Sequence, residues 1–302
     1  MSTAFLFPGQ GAQSVGMGRD IASGAPEAKA AFDKANEILD YDLAKICFEG
    51  PAEKLDSTVY SQPALFVTSV AALAVMNERQ NDVAESCRYT AGLSLGEYTS
   101  LFFAGVLEFR DALRVVAERG AAMQAASDAT PSGMVSILGL ERDQTEQLCR
   151  ECSQGEVLQI ANLLCPGNIV VSGAKGACER IAAAALTAGA MKTIPLAVAG
   201  AFHTSIMQPA VARLTVALKD VQMKQPRIPV VSNVDGRPHE DPEEIRRLLV
   251  QQVVSPVVWE DSLRWLLAEG VNKVYEVGPG RVLRGLLKRI DRKLESVGTM
   301  DG

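Results

Sequence analysis

Residues 92–96 read Gly92-Leu93-Ser94-Leu95-Gly96, a serine between two glycines at the spacing of a nucleophile elbow. In such an elbow a strand enters, the chain bends sharply and a helix leaves, so the serine hydroxyl is exposed at the helix N-terminus. The dipole and free N–H groups of that terminus can stabilise an oxyanion. The bare pentapeptide also describes a plain turn; a strand pattern before it and a helical pattern after it favour the nucleophile. A serine hydroxyl needs a base, and histidine is the usual one. The chain has two, His203 and His239. His239 lies in the polar, turn-rich stretch 235–242, where a solvated surface position is expected. His203 follows the small-residue run 198–202 and is the base candidate by elimination.

Three further features bear on chemistry. Ala112, Val116, Arg119 and Met123 fall at 4-3-4 spacing and share one helix face, apolar apart from the guanidinium. A buried cation needs a partner. Two readings stay open: an internal ion pair, for example with Glu97, or a bidentate clamp for a substrate carboxylate. Phe7-Pro8-Gly9-Gln10-Gly11 follows a short strand, and its glycines invite a backbone N–H into a site. The same turn could bind phosphate, although it matches neither G-x-G-x-x-G nor the P-loop pattern. Asn162 ends a strand, as a surface cap or as pocket lining.

The elements that must position these residues follow from periodicity. Strands are expected at 4–7, 88–93, 229–233 and 273–277, and helices at 26–39, 62–79, 95–104, 108–124, 242–251 and 262–268. Pro63 is placed in the first turn of its helix, and Gly105 closes the helix leaving the elbow. Strands alternating with helices predict a mostly parallel α/β sheet. Between them lies strand 134–140, helix 142–152, strands 157–162 and 169–172 about a Pro166-Gly167 turn, helix 175–188 and strand 192–196. That β-α-β-β-α-β order is ferredoxin-like. The expected division is a large hydrolase-like domain from 1–126 and 199–302, with an inserted small domain at 127–198.

The chain of 302 residues is 47% hydrophobic and 22% charged, enough for a sizeable core. Its net charge of −6 argues against a nucleic-acid partner. Lys288, Arg289, Arg292 and Lys293 are interleaved with acidic residues and read as the solvated face of a C-terminal helix. Among six cysteines, Cys149 and Cys152 form a C-x-x-C, but no second pair or histidine stands nearby, so free helix cysteines are expected and no metal site. The first residues lack a basic n-region, and no apolar stretch approaches the roughly 20 residues needed to span a bilayer. A cytoplasmic, monomeric protein without a membrane partner is expected.

Taken together, FPGQGAQ at the N-terminus, QPALF at 62–66, GLSLGEY at 92–98, GAFH at 200–203, SNVDG at 232–236 and YEVGPGRVL at 275–283 resemble the malonyl-CoA:acyl carrier protein transacylases of fatty-acid synthesis. The resemblance runs nearly the whole chain in family order. It implies a ping-pong acyltransferase that takes malonyl from malonyl-CoA to acyl carrier protein and binds no cofactor. By position, Ser94 matches the malonylated nucleophile and His203 its base. Arg119 matches the holder of the malonyl carboxylate, and Gln10 and Leu95 the backbone oxyanion donors. Gln252 matches a residue near the histidine, and Phe202 one that narrows the space beside malonyl C2. Where the family usually has His before the nucleophile, this chain has Leu93; chemistry is expected to survive, with rate, acyl-enzyme lifetime or side hydrolysis open to change. The alternatives are a discrete acyltransferase of a polyketide synthase and an acyl-thioester hydrolase.

Overall fold

A computed structural model describes residues 2–79 and 81–300. Strands β1 (Thr3–Phe7), β2 (Cys87–Gly92), β7 (Val230–Val231), β8 (Pro238–His239), β9 (Lys273–Glu276) and β10 (Glu295–Gly298) form one sheet, in the order β10-β9-β1-β2-β7-β8. Its pairs are parallel except β7 with β8. Helices returning the chain between parallel strands cover the sheet, so β1 is buried along its whole length and its sequence, Thr-Ala-Phe-Leu-Phe, carries no charge. Strand β10 had no counterpart in the sequence reading, because Glu295-Ser-Val-Gly is polar and sits on the sheet edge. The preceding helix, Val282–Ile290, carries Lys288 and Arg289 and ends before Arg292 and Lys293.

Strands β3 (Ser132–Leu138), β4 (Leu158–Cys165), β5 (Asn168–Ala174) and β6 (Lys192–Pro195) make a second, antiparallel sheet ordered β4-β5-β3-β6. Helices Arg142–Ser153 and Lys175–Thr187 pack on it around Val135, Ile137, Leu148, Val171 and Ile181. This is the β-α-β-β-α-β arrangement read from the sequence. The helix Phe109–Ala129 runs straight through the expected boundary at 126/127, and the chain leaves it only at Thr130. The second sheet is tied to the segment before helix Trp259–Ala268, where Leu163 N–H donates to Val257 O at 2.9 Å and Val257 N–H to Ala161 O at 2.8 Å. All six cysteines are buried free thiols, Cys149 and Cys152 on one helix.

Two expectations need correction at the helix Thr58–Arg79. It is long and apolar enough to cross a membrane, the one such helix among the described residues, and it is mostly buried against its neighbours. Gln62, Thr68 and Ser69 break the apolar run in the sequence, yet they are buried too. Pro63 is its sixth residue, not part of a first turn beginning at Gln62. The extra turn forms because Gln124 Oε1 accepts Thr58 N–H at 3.1 Å and Ser57 O accepts Ser61 N–H at 2.8 Å. His239 is also not a free surface residue: it is half-buried, with Nε2 at 2.9 Å from Asp235 Oδ2 and Nδ1 at 3.2 Å from Glu244 Oε2.

This central helix packs on Phe109–Ala129, and Gly120 sets how closely. A Cβ at Gly120 would stand 2.6 Å from Thr58 O, too close for either helix to stay in place. The approach puts Gln62 beside Arg119. Gly120→Ala is expected to destabilise the fold by about 1–3 kcal/mol, read as a lower urea midpoint with an unchanged m-value; an unshifted midpoint would contradict this packing.

Candidate active site

The C-terminal ends of β1, β2 and β7, three neighbouring parallel strands, converge on one region, as ligand sites do in open α/β sheets. Gln10 follows the first, Ser94 the second and Asn233 the third. At the elbow the glycines have a different job from the one their flexibility suggested. Ser94 itself takes the left-handed conformation, with φ of 49°. The glycines supply room: a Cβ on Gly92 would stand 1.9 Å from the Gly96 carbonyl carbon, and one on Gly96 2.1 Å from Phe7 O. Left-handed backbone costs a serine roughly 1–3 kcal/mol and persists only when its surroundings enforce it. Here Leu93 N–H donates to Phe7 O at 3.0 Å, and Ser94 N–H to Asn233 Oδ1 at 2.6 Å.

His203 Nε2 lies 2.9 Å from Ser94 Oγ. His203 is also left-handed, with φ of 60°. Its Nδ1 is 2.8 Å from the backbone oxygen of Gln252. That oxygen can only accept, so Nδ1 carries the hydrogen and Nε2 presents its lone pair to the hydroxyl. The carbonyl is available because Gln252 is the last residue of the helix Pro242–Gln252, whose final carbonyls have no partner within it. Among the described residues no carboxylate is hydrogen-bonded to the imidazole, whose partners are Ser94 Oγ and the Gln252 backbone oxygen. Burial, reinforced by the nearby Arg119 charge, pulls the imidazole down from 6.5 to about 4, so it is neutral and able to accept a proton at neutral pH.

Arg119 is 1% exposed. Its Nη1 donates to Gln62 Oε1 at 2.8 Å, and its Nη2 to Gln252 Oε1 at 2.9 Å and to Ser94 Oγ at 3.0 Å. The internal ion pair considered with Glu97 is not formed directly. The Gln252 amide stands between them, its Nε2 donating to Glu97 Oε2 at 2.7 Å and to Ser94 O at 3.1 Å. Among the described residues the guanidinium therefore has only neutral acceptors, and its Nε–H has none. A buried cation beside a candidate nucleophile, with donors to spare, suits an anionic ligand. Glu97 is itself buried; that pushes its carboxyl up to about 7, while hydrogen bonds from Asn233 and Gln252 oppose the rise.

Ser94, His203, Arg119 and Gln62 line a cavity of about 160 Å³ that also touches Gln10, Leu95, Asn162 and Phe202, with Gln252 behind Arg119 and His203. Each sequence-predicted site residue is thus at one place. The backbone N–H groups of Gln10 and Leu95 have no acceptor among the described residues, Leu95 at the cap of the helix Gly96–Phe103. Asn162 lines the pocket from β4 and is 9% exposed, which decides between cap and lining. Leu93 shares the wall with Leu164, Val282 and Leu286. Gln62 and Asn233 were not singled out from the sequence. Gln62 carried a signal, as a polar residue within an apolar run; Asn233 ended an expected strand within SNVDG, and no spacing there set it apart from its neighbours.

A base held neutral by its surroundings has a readable consequence. Labelling of Ser94 by a neutral sulfonyl fluoride is expected to hold its rate from about pH 7 to about pH 5 and to fall only as the imidazole is protonated. A midpoint at 6.5 or higher would contradict the buried, cation-flanked histidine.

Comparison with known proteins agrees with this geometry. Residues 4–300 match the acyl transferase domain family. The chain is 41% identical over 299 residues to the malonyl CoA-acyl carrier protein transacylase of Bacillus subtilis, covering 99% of this chain and 93% of that protein. It is 40% identical to the mitochondrial malonyl-CoA-acyl carrier protein transacylase of Homo sapiens, covering 95% of this chain and 76% of that protein. A malonyl-transacylase solved in complex with its type II polyketide synthase acyl-carrier protein superposes with a TM-score of 0.95 at 38% identity, over 99% of this chain and 96% of that one. With two left-handed residues holding a hydroxyl against an imidazole, and these relatives matching almost end to end, the chain belongs to the acyltransferases, within the malonyl-CoA-acyl carrier protein transacylase family.

Proposed function

We propose that this chain moves a malonyl group from malonyl-CoA to the phosphopantetheine thiol of acyl carrier protein through a malonyl ester on Ser94. The observation that carries the reading is the position of Ser94 Oγ, 2.9 Å from His203 Nε2 and 3.0 Å from Arg119 Nη2. His203 takes the hydroxyl proton as Ser94 Oγ attacks the thioester carbonyl. The Gln10 and Leu95 backbone N–H groups receive the oxyanion. As the tetrahedral centre collapses, the C–S bond breaks and the imidazolium returns its proton to the leaving coenzyme A thiol. In the second half the carrier thiol gives its proton to His203 and attacks the ester, and Ser94 leaves with that proton. The backbone oxygen of Gln252 holds the imidazole in the required tautomer throughout.

Arg119 takes the malonyl carboxylate. A substrate without that group leaves a buried cation unpaired, which is how the site rejects neutral acyl chains. Phe202 narrows the space beside malonyl C2, and Asn162 contributes wall from the smaller sheet. Residues 127–198 form a small domain set on a catalytic one of 1–126 and 199–302. The chemistry as written draws only on side chains and amides. Six free cysteines suit a reducing compartment such as the cytoplasm, and a single chain supplies the whole site, consistent with a monomer. The relative complexed with a type II polyketide synthase carrier favours, as a second reading, the same transfer to such a carrier.

Incubation with malonyl-CoA is expected to place one malonyl group on Ser94, found by peptide mass spectrometry and discharged by carrier thiol into malonyl-carrier. Free malonate as the main product would convert the reading to a hydrolase, and comparing fatty-acid with polyketide carriers separates the two transferases. Arg119→Ala should lower malonyl transfer by roughly a hundredfold or more, the scale of losing a buried charge pair, while sparing or raising acetyl transfer. Equal loss with both acyl groups would remove the clamp.

A further inference from the structure

Glu97 is 3% exposed, lies one helical turn beyond Ser94 and is outside the steps above. A buried carboxylate bonded to neutral donors is costly, and an apolar side chain could fill the same volume without that cost. Its bonds are specific. Oε2 accepts Gln252 Nε2–H at 2.7 Å and the backbone N–H of Asn233 at 3.0 Å. Asn233 in turn accepts Ser94 N–H and donates through Nδ2 to Gly92 O at 2.8 Å. Glu97 thus reaches both sides of the elbow.

We infer that Glu97 is a positioning residue that fixes which way the Gln252 side-chain amide faces, and through that amide holds the Arg119 fork in place for the acyl carboxylate. The two ends of an amide are nearly equal in size, so partners decide its orientation. Here the oxygen end meets a guanidinium, which can only donate, and the nitrogen end meets Glu97 Oε2, which already accepts the Asn233 N–H. Turned over, the amide would set N–H against N–H and oxygen against oxygen. Without the carboxylate only Arg119 and Ser94 O would choose between the two orientations. A fork left to Gln62 and to Ser94 Oγ, itself the reacting atom, would not be held for bidentate contact.

The inference rests on the malonyl reading of the site, and wild type with Arg119→Ala serve as controls for that reading. The readout is the preference for malonyl-CoA over acetyl-CoA, as the ratio of kcat/KM values. Glu97→Leu is expected to lower this preference roughly tenfold or more, the size of losing a charge-assisted hydrogen bond, chiefly through a raised KM for malonyl-CoA. Glu97→Gln, whose oxygen can accept both N–H groups, should restore most of it. General loosening of the site would instead lower transfer of both acyl groups together. Should Glu97→Leu not fold, Glu97→Asp, which keeps the charge one methylene short, is read in the same way. An unchanged preference in the folded variant, a parallel loss with both acyl groups, or a Glu97→Gln as damaged as Glu97→Leu overturns the inference. If wild type shows no malonyl preference, or Arg119→Ala does not change it, the clamp has failed and not the role of Glu97.

Discussion

The contact between Ser94 Oγ and His203 Nε2 joins two residues that both hold left-handed backbone. Neither conformation is one a short peptide would choose, so the rest of the chain must impose both. On the serine side the parallel pair β1 and β2, the close approach of Gly96 to Phe7, and the Asn233 side chain all act on one bend. On the histidine side the chain is returning from the second sheet, and Ala201 N–H donating to Ser132 Oγ at 3.1 Å and Thr204 Oγ1 to Ala201 O at 2.8 Å secure the loop. The strain is local and its support is distributed, as expected of a site set on a rigid scaffold.

Charge is arranged with equal economy. A neutral imidazole, a buried guanidinium and a buried carboxylate share one small volume, and a single glutamine touches all three groups: its backbone oxygen meets the imidazole, its amide oxygen the cation and its amide nitrogen the anion. Burial, with the cation beside it, depresses the imidazole, which keeps the base unprotonated. The same cation is left without a formal counter-charge in direct contact, which is the condition for welcoming an anionic substrate. One substitution in this cluster therefore moves more than one property.

Much of this was legible from residue order. The serine motif stood in its strand-turn-helix context, the β-α-β-β-α-β order of the small sheet was visible in the alternation of patterns, and the lone cation on an apolar helix face marked Arg119. What the sequence hid was set by distant packing. Gln62 and Arg119 meet because Gly120 lets two helices close up, and nothing near residue 62 announces that. The direct Glu97–Arg119 pair, one of the two readings left open, does not form because an amide from residue 252 inserts between the two groups. Helix Thr58–Arg79 began earlier than expected because Gln124, 66 residues away from Thr58, caps it. The roles of glycine and serine in the elbow were exchanged, since periodicity reports where a chain turns and not which residue bears the torsion.

The backbone seam between Ala161–Leu163 and Val257 joins the walls of the cavity. Ser94, Arg119 and His203 line one side of the cavity, while Met134, Asn162, Leu164 and Val170 line it from the other. Reactivity and capacity are thereby carried by separate slabs of the molecule. Substitutions in the antiparallel slab can widen or narrow the chamber while leaving proton affinities untouched, so this architecture can change its choice of cargo without rebuilding its chemistry.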